Sequence, residues 1–185
     1  MPTKKTKILF IGNSHTYMHD LPAKVQLLAK EEGYECDVTM LAHPNWYLKQ
    51  HVEDHEACFN IKYGHYDYVV LQEHAHPFDH IEEYKEAAKV LTGWIRDAGG
   101  VPVIYGTWAR RDDEAGQEPM NKVYRDLATD LNALYAPVGE SWWSYMHTYP
   151  EIELYEGDGA HASEHGTKYA AKIIWVSIEA DLKSI

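Results

Sequence analysis

Tyr66-Asp67-Tyr68-Val69-Val70-Leu71-Gln72 runs apolar from Tyr68 to Leu71 with no polar alternation. A strand with one wet face alternates, whereas a strand covered on both faces does not. Upstream, Lys7 to Gly12 (KILFIG) has the same character and is closed by glycine. Asp37 to Leu41 (DVTML) is a second candidate. Downstream come Val101 to Trp108 (VPVIYGTW) and a short last strand over Ala136 to Gly139. Helical signals fill the intervals. Leu21, Val25 and Leu28 recur at helical spacing before Gly33. Leu48 to Ile61 reads as a weakly patterned helix. Tyr84, Ala87, Ala88, Leu91 and Ile95 form an apolar stripe ended by Gly99-Gly100. Val123, Leu127, Leu131 and Leu134 mark another helix, and Ser163 to Leu182 a long closing one. Strands that alternate with helices build a parallel sheet with helices on both faces.

The 185 residues fit one domain spanning 1–185, with no repeat or linker. The 45% hydrophobic and 25% charged residues are those of an ordinary globular chain. A net charge of -12 argues against a nucleic acid or an anionic membrane as partner, since both reward lysine and arginine. Cys36 and Cys58 make no disulfide framework and read as thiols. Met1 to Lys7 is followed by too short an apolar run for a signal peptide, and no stretch is long enough to span a bilayer. The expectation is a cytoplasmic protein.

Ligands of an open α/β sheet bind at the carboxyl ends of the strands. Ser14 lies there, directly after the first strand, in Gly12-Asn13-Ser14-His15-Thr16. On such a turn a serine presents its hydroxyl at the sheet edge and its N–H to a developing oxyanion. The plainer alternative is that Ser14 caps the following helix. The pattern is not G-x-S-x-G, which disfavours an α/β-hydrolase elbow. Near the other end stand Asp158-Gly159-Ala160-His161. A serine hydroxyl needs an adjacent base at neutral pH, and a carboxylate on the far ring nitrogen fixes the tautomer of that base. D-x-x-H on one tight loop can supply both, although any one pair among 12 histidines is a weak signal by itself. His165 belongs one turn into the helix.

Taken together, Gly12-Asn13-Ser14 after the first strand and Asp158-Gly159-Ala160-His161 before the last helix resemble the blocks of the SGNH (GDSL-like) hydrolase superfamily. The resemblance spans nearly the whole chain. It implies a three-layer α/β/α sandwich with a five-stranded parallel, flavodoxin-like sheet. It also implies ester hydrolysis through an acyl-enzyme, with Ser14, Asp158 and His161 as the triad and no cofactor or metal. Two blocks depart from the pattern. Where the family places an oxyanion-binding Asn after the third strand, this chain has Leu71-Gln72-Glu73, and Gln72 is the expected donor. Where the family offers a Gly N–H, Ala42-His43-Pro44-Asn45-Trp46 has none. Asn45 is the best match, because Asn tolerates left-handed backbone. The expected oxyanion hole is therefore Ser14, Asn45 and Gln72.

Aromatic side chains crowd the expected rim, and Trp46 and Trp108 are the candidate substrate contacts. Because members of the superfamily cleave acetyl, lipid and thioester groups, the resemblance favours a small-molecule ester, acetyl above all, on a sugar-like alcohol. A rival is a silent SGNH-fold domain that binds such a ligand without turnover. A flavodoxin-like binder is disfavoured, because the first loop lacks a glycine-rich phosphate cradle. His51 and His55 are spaced i, i+4 on the expected helix, but H-E-x-x-H is absent and a catalytic metal is not expected.

Overall fold

The computed structural model describes residues 5–184, so residues 1–4 of the N-terminal reading above lie outside the described residues. Strands β1 (Thr6–Gly12), β2 (Cys36–Ala42), β3 (Tyr68–Leu71), β4 (Val101–Tyr105) and β5 (Leu134–Ala136) form one sheet in the order β2-β1-β3-β4-β5. Every pairing is parallel. The helices are α1 (Ser14–Tyr17), α2 (Leu21–Glu31), α3 (Leu48–Glu53), α4 (His55–Gly64), α5 (Ile81–Asp97), α6 (Gln117–Asp130), α7 (Val138–Thr148) and α8 (Glu164–Leu182).

Successive residues of β1 point to opposite faces, and this divides the core. Ile8 and Phe10 pack with Val25 of α2, Trp142 of α7 and Ile174 of α8. Leu9 and Ile11 pack with Leu48 of α3, Ile61 of α4, Leu91 of α5 and Tyr124 of α6. All four of these β1 residues are completely buried, so the strand reads as one apolar run. Burying one such side chain is worth roughly 1.5–3 kcal/mol.

Several expected boundaries move, and the strand expected to reach Trp108 already ends at Tyr105. The helix expected through Leu134 stops at Asp130. The chain turns through left-handed Asn132 (φ 49), and Leu134 joins the sheet beside Val103. The last strand, expected over Ala136 to Gly139, lies earlier for the same reason. Pro137 has no N–H for a ladder, and Val138 already begins α7. The helix expected over Leu48 to Ile61 is broken at extended Asp54, whose carboxylate caps α4 through the Glu56 N–H. His51 and His55 therefore sit on separate helices. His51 is 2% exposed and donates from Nε2 to the Gly12 carbonyl at 2.9 Å, so the ring braces the end of β1.

Chain order reverses direction at β1: β2 lies on one side and β3 on the other. That switch point opens a crevice at the carboxyl ends of the strands, and Ser14 is two residues beyond β1.

Candidate active site

Asn13 is the N-cap of α1, its Oδ1 accepting from the His15 N–H at 3.1 Å. Ser14 is therefore the first helical residue and its hydroxyl is free of the capping role. Gly12 is required by close approach: a Cβ there would lie 2.4 Å from Gln72 Oε1 and 2.5 Å from Thr16 Oγ1. Asn13 is 1% exposed, and its Nδ2 donates to the Trp46 carbonyl at 2.9 Å, tying β1 to the loop that carries Asn45. Asn45 itself is left-handed, with φ 61.

The second segment is a turn from Glu156 to His161. Left-handed Gly159 (φ 66) donates to the Glu156 carbonyl at 3.0 Å, and the Glu156 N–H donates to the His161 carbonyl at 2.8 Å. Asp158 Oδ1 accepts from the N–H groups of Ala160 (2.9 Å) and His161 (3.0 Å), and Oδ2 accepts from His161 Nδ1 at 2.5 Å. With Nδ1 donating to a carboxylate, Nε2 of the neutral ring is an acceptor. It lies 2.8 Å from Ser14 Oγ, which is 147 positions away in the sequence. Partial desolvation pushes the Asp158 carboxyl up. The hydrogen bonds from the His161 ring and the two N–H groups outweigh this and hold it well below the usual carboxylate range.

His15 and His76 stand beside this chain of contacts. The His15 ring lies 4.9 Å from that of His161 and 5.3 Å from that of His76. Burial, reinforced by the neighbouring imidazoles, pushes His15 well down. Burial and then Arg110 lower His76 to about 4. Both rings are neutral at neutral pH, so neither opposes an imidazolium on His161. His165, by contrast, is exposed on α8.

Two expected roles are corrected. Gln72 does not offer its amide N–H to the serine. Its Oε1 accepts from the Asn13 N–H at 2.9 Å and the Thr16 hydroxyl at 2.8 Å, while its Nε2 donates to the Glu73 carbonyl at 2.5 Å. A main-chain N–H can only donate, which fixes the orientation of the amide. Gln72 is thus a brace beneath the serine turn. Trp108 is completely buried and has no face for a substrate. It stacks on Trp142 with ring centres 4.0 Å apart, and its indole N–H donates to the Ala160 carbonyl at 2.9 Å. It supports the His161 loop from below. Trp46 is partly buried and packs on His43 at 4.1 Å and His51 at 5.0 Å.

The sequence reading missed the braces between the loops. Arg110 donates to the Asp158 carbonyl at 3.0 Å, the Arg111 N–H to the Gly159 carbonyl at 2.9 Å, and the Tyr155 hydroxyl to the Ala109 carbonyl at 2.6 Å. No local signal marks these contacts, because each joins residues more than 40 positions apart. The one readable hint was Asn13, whose amide both donates and accepts.

An open parallel sheet with a hydrogen-bonded serine, histidine and aspartate at its carboxyl edge has the architecture of the serine hydrolases. No protein-family model and no curated protein matches the chain. Solved structures do. A protein of Slackia heliotrinireducens assigned as an SGNH hydrolase is 27% identical with a TM-score of 0.80, over 95% of this chain and 100% of that one. A lipase/acylhydrolase from Enterococcus faecalis is 17% identical with a TM-score of 0.71, over 95% and 96%. An acetyl xylan esterase from Geobacillus stearothermophilus is 15% identical with a TM-score of 0.74, over 94% of each chain. The chain has the fold of the SGNH (GDSL-like) hydrolases and resembles them over nearly its whole length.

Proposed function

We propose that this protein is a serine esterase that removes small acyl groups, acetyl foremost, from an alcohol such as a carbohydrate hydroxyl. The observation that carries the reading is the 2.8 Å contact between Ser14 Oγ and His161 Nε2, backed by the 2.5 Å contact from His161 Nδ1 to Asp158. Ser14 attacks the ester carbonyl while His161 takes the hydroxyl proton. Asp158 stabilises the imidazolium. The Ser14 N–H donates to no other group among the described residues and is available to the oxyanion, with the Asn45 N–H as its partner. His161 then protonates the leaving alcohol, the acyl group stays on Ser14, and His161 activates the water that releases it. The preference for acetyl rests on acetyl xylan esterases among proteins of the same fold.

The test is turnover of p-nitrophenyl acetate by the wild type beside Ser14→Ala, His161→Ala and Asp158→Asn. The expected result is turnover that falls by roughly 10³-fold or more in the first two. A Ser14→Ala variant with wild-type turnover removes the proposed nucleophile. A wild type without turnover that still binds acetylated sugars leaves the silent binder instead.

A further inference from the structure

The Ser14 segment and the Asp158–His161 loop come from opposite ends of the chain, and one side chain reaches both flanks of that loop. His19 follows α1 by two residues. Its Nε2 lies 2.7 Å from Glu156 Oε1 and its Nδ1 lies 3.3 Å from Glu164 Oε2. Glu156 opens the loop, its N–H bonded to the His161 carbonyl. Glu164 is the first residue of α8, three beyond His161. Lys24 of α2 closes the arrangement, pairing with Glu164 Oε1 at 3.1 Å and donating to the His19 carbonyl at 2.5 Å.

The backbone there is unusual. His19 and Asp20 are consecutive non-glycine residues in the left-handed region, each with φ 53. Such residues are strained, and strain of this kind concentrates where function needs the geometry. Asp20 has a local use, since its carboxylate caps α2 through the Ala23 N–H at 3.3 Å. The His19 ring has none among the described residues: it contacts Glu156 of the distant loop and Glu164 of α8. Those contacts are partly exposed, with side-chain exposures of 28% for His19, 39% for Glu156 and 50% for Glu164. Pairs that wet contribute little to stability. Their yield is registration: they fix the loop that bears His161 against the segment that bears Ser14.

We propose that His19 is a positioning residue, a bracket that sets the Ser14–His161 contact by holding both flanks of the Asp158–His161 loop. The inference rests on the esterase reading for its kinetic consequence but not for its structural one. A near-attack geometry is sensitive to displacements of about 1 Å, so loosening the bracket slows the chemical step without altering what binds.

The experiment uses His19→Asn, which tolerates the left-handed backbone and is too short to reach either glutamate, together with Glu156→Gln and the double variant. The expected result is a kcat lowered roughly 10- to 100-fold, with KM within about twofold and the melting temperature unchanged. The double variant is expected to be no slower than His19→Asn alone. Amide hydrogen exchange at Glu156 and Gly159 is measured in parallel and is expected to quicken in His19→Asn. Wild-type kcat, a loss confined to KM, or additive losses would overturn the bracket. If the wild type turns over no ester, the esterase reading fails by itself. Exchange then decides the bracket: faster exchange supports it, and unchanged exchange refutes it.

Discussion

Asn13 does two jobs with one amide, and this makes it the most informative single residue. Its oxygen caps α1 and its Nδ2 donates to the Trp46 carbonyl. Asn13→Asp would keep the cap, since Asp and Asn are equivalent there. It would set a carboxylate against a carbonyl in a site only 1% exposed. The expected cost is about 1–3 kcal/mol in a urea titration, with slower ester turnover because the Asn45 loop is released. A variant as stable and as fast as the wild type would show that the Trp46 link is idle. At this scale much was legible in the sequence. A serine just past a buried strand and an Asp-x-x-His between glycines are local patterns, and the left-handed Asn45 follows from a backbone that only Gly, Asn or Asp adopts readily. The role of Gln72 was not legible. Which end of an amide faces the serine turn depends on the Asn13 N–H, which is 59 positions away.

Between elements, the loop after β4 braces the acid–base segment that lies between α7 and α8. Trp108→Phe keeps a ring over Trp142 and deletes the donor to Ala160. It is expected to cost about 1 kcal/mol and to lower kcat for p-nitrophenyl acetate while leaving KM unchanged. Trp108→Ala is expected to cost roughly 3–5 kcal/mol by leaving a cavity. A rise in KM in Trp108→Phe would restore the ring to a substrate-contacting role. Burial separates the two roles here, and sequence does not display burial: an aromatic after a strand looks the same at a rim and beneath it. Element boundaries failed for related reasons. Asp54 and Asn132 end helices by left-handed or extended backbone that the apolar spacing of their neighbours conceals. The strands were legible because burial on both faces leaves an apolar run with no alternation.

For the molecule as a whole, Glu73 links the sheet to the crevice. It is 3% exposed at the end of β3, accepting from the N–H groups of His74 at 2.6 Å and Leu48 at 3.2 Å. Burial raises its carboxyl from 4.5 to about 7, against the two hydrogen bonds that lower it. The folded carboxyl therefore keeps its proton to a higher pH than the unfolded one. Its contribution to stability is complete below 4.5 and is lost as pH rises through about 7. Over that window the loss is on the order of 3 kcal/mol. Glu73→Gln removes the titration, so urea unfolding of the variant should vary less between pH 5 and pH 8 than that of the wild type. Identical slopes would show that Glu73 titrates normally. The parallel sheet with helices on both faces needed only alternation of strands and helices to be foreseen, whereas its five-stranded, flavodoxin-like form followed from the resemblance and its switch point at β1 from the structure. The meeting of Ser14 with His161 across 147 positions needed the whole fold. The most direct measurement of that meeting is to label the protein with a fluorophosphonate and map the adduct by mass spectrometry. The account predicts a single adduct on Ser14, absent from Ser14→Ala and formed far more slowly in His161→Ala. An adduct on another serine, or none on a folded protein, would contradict it.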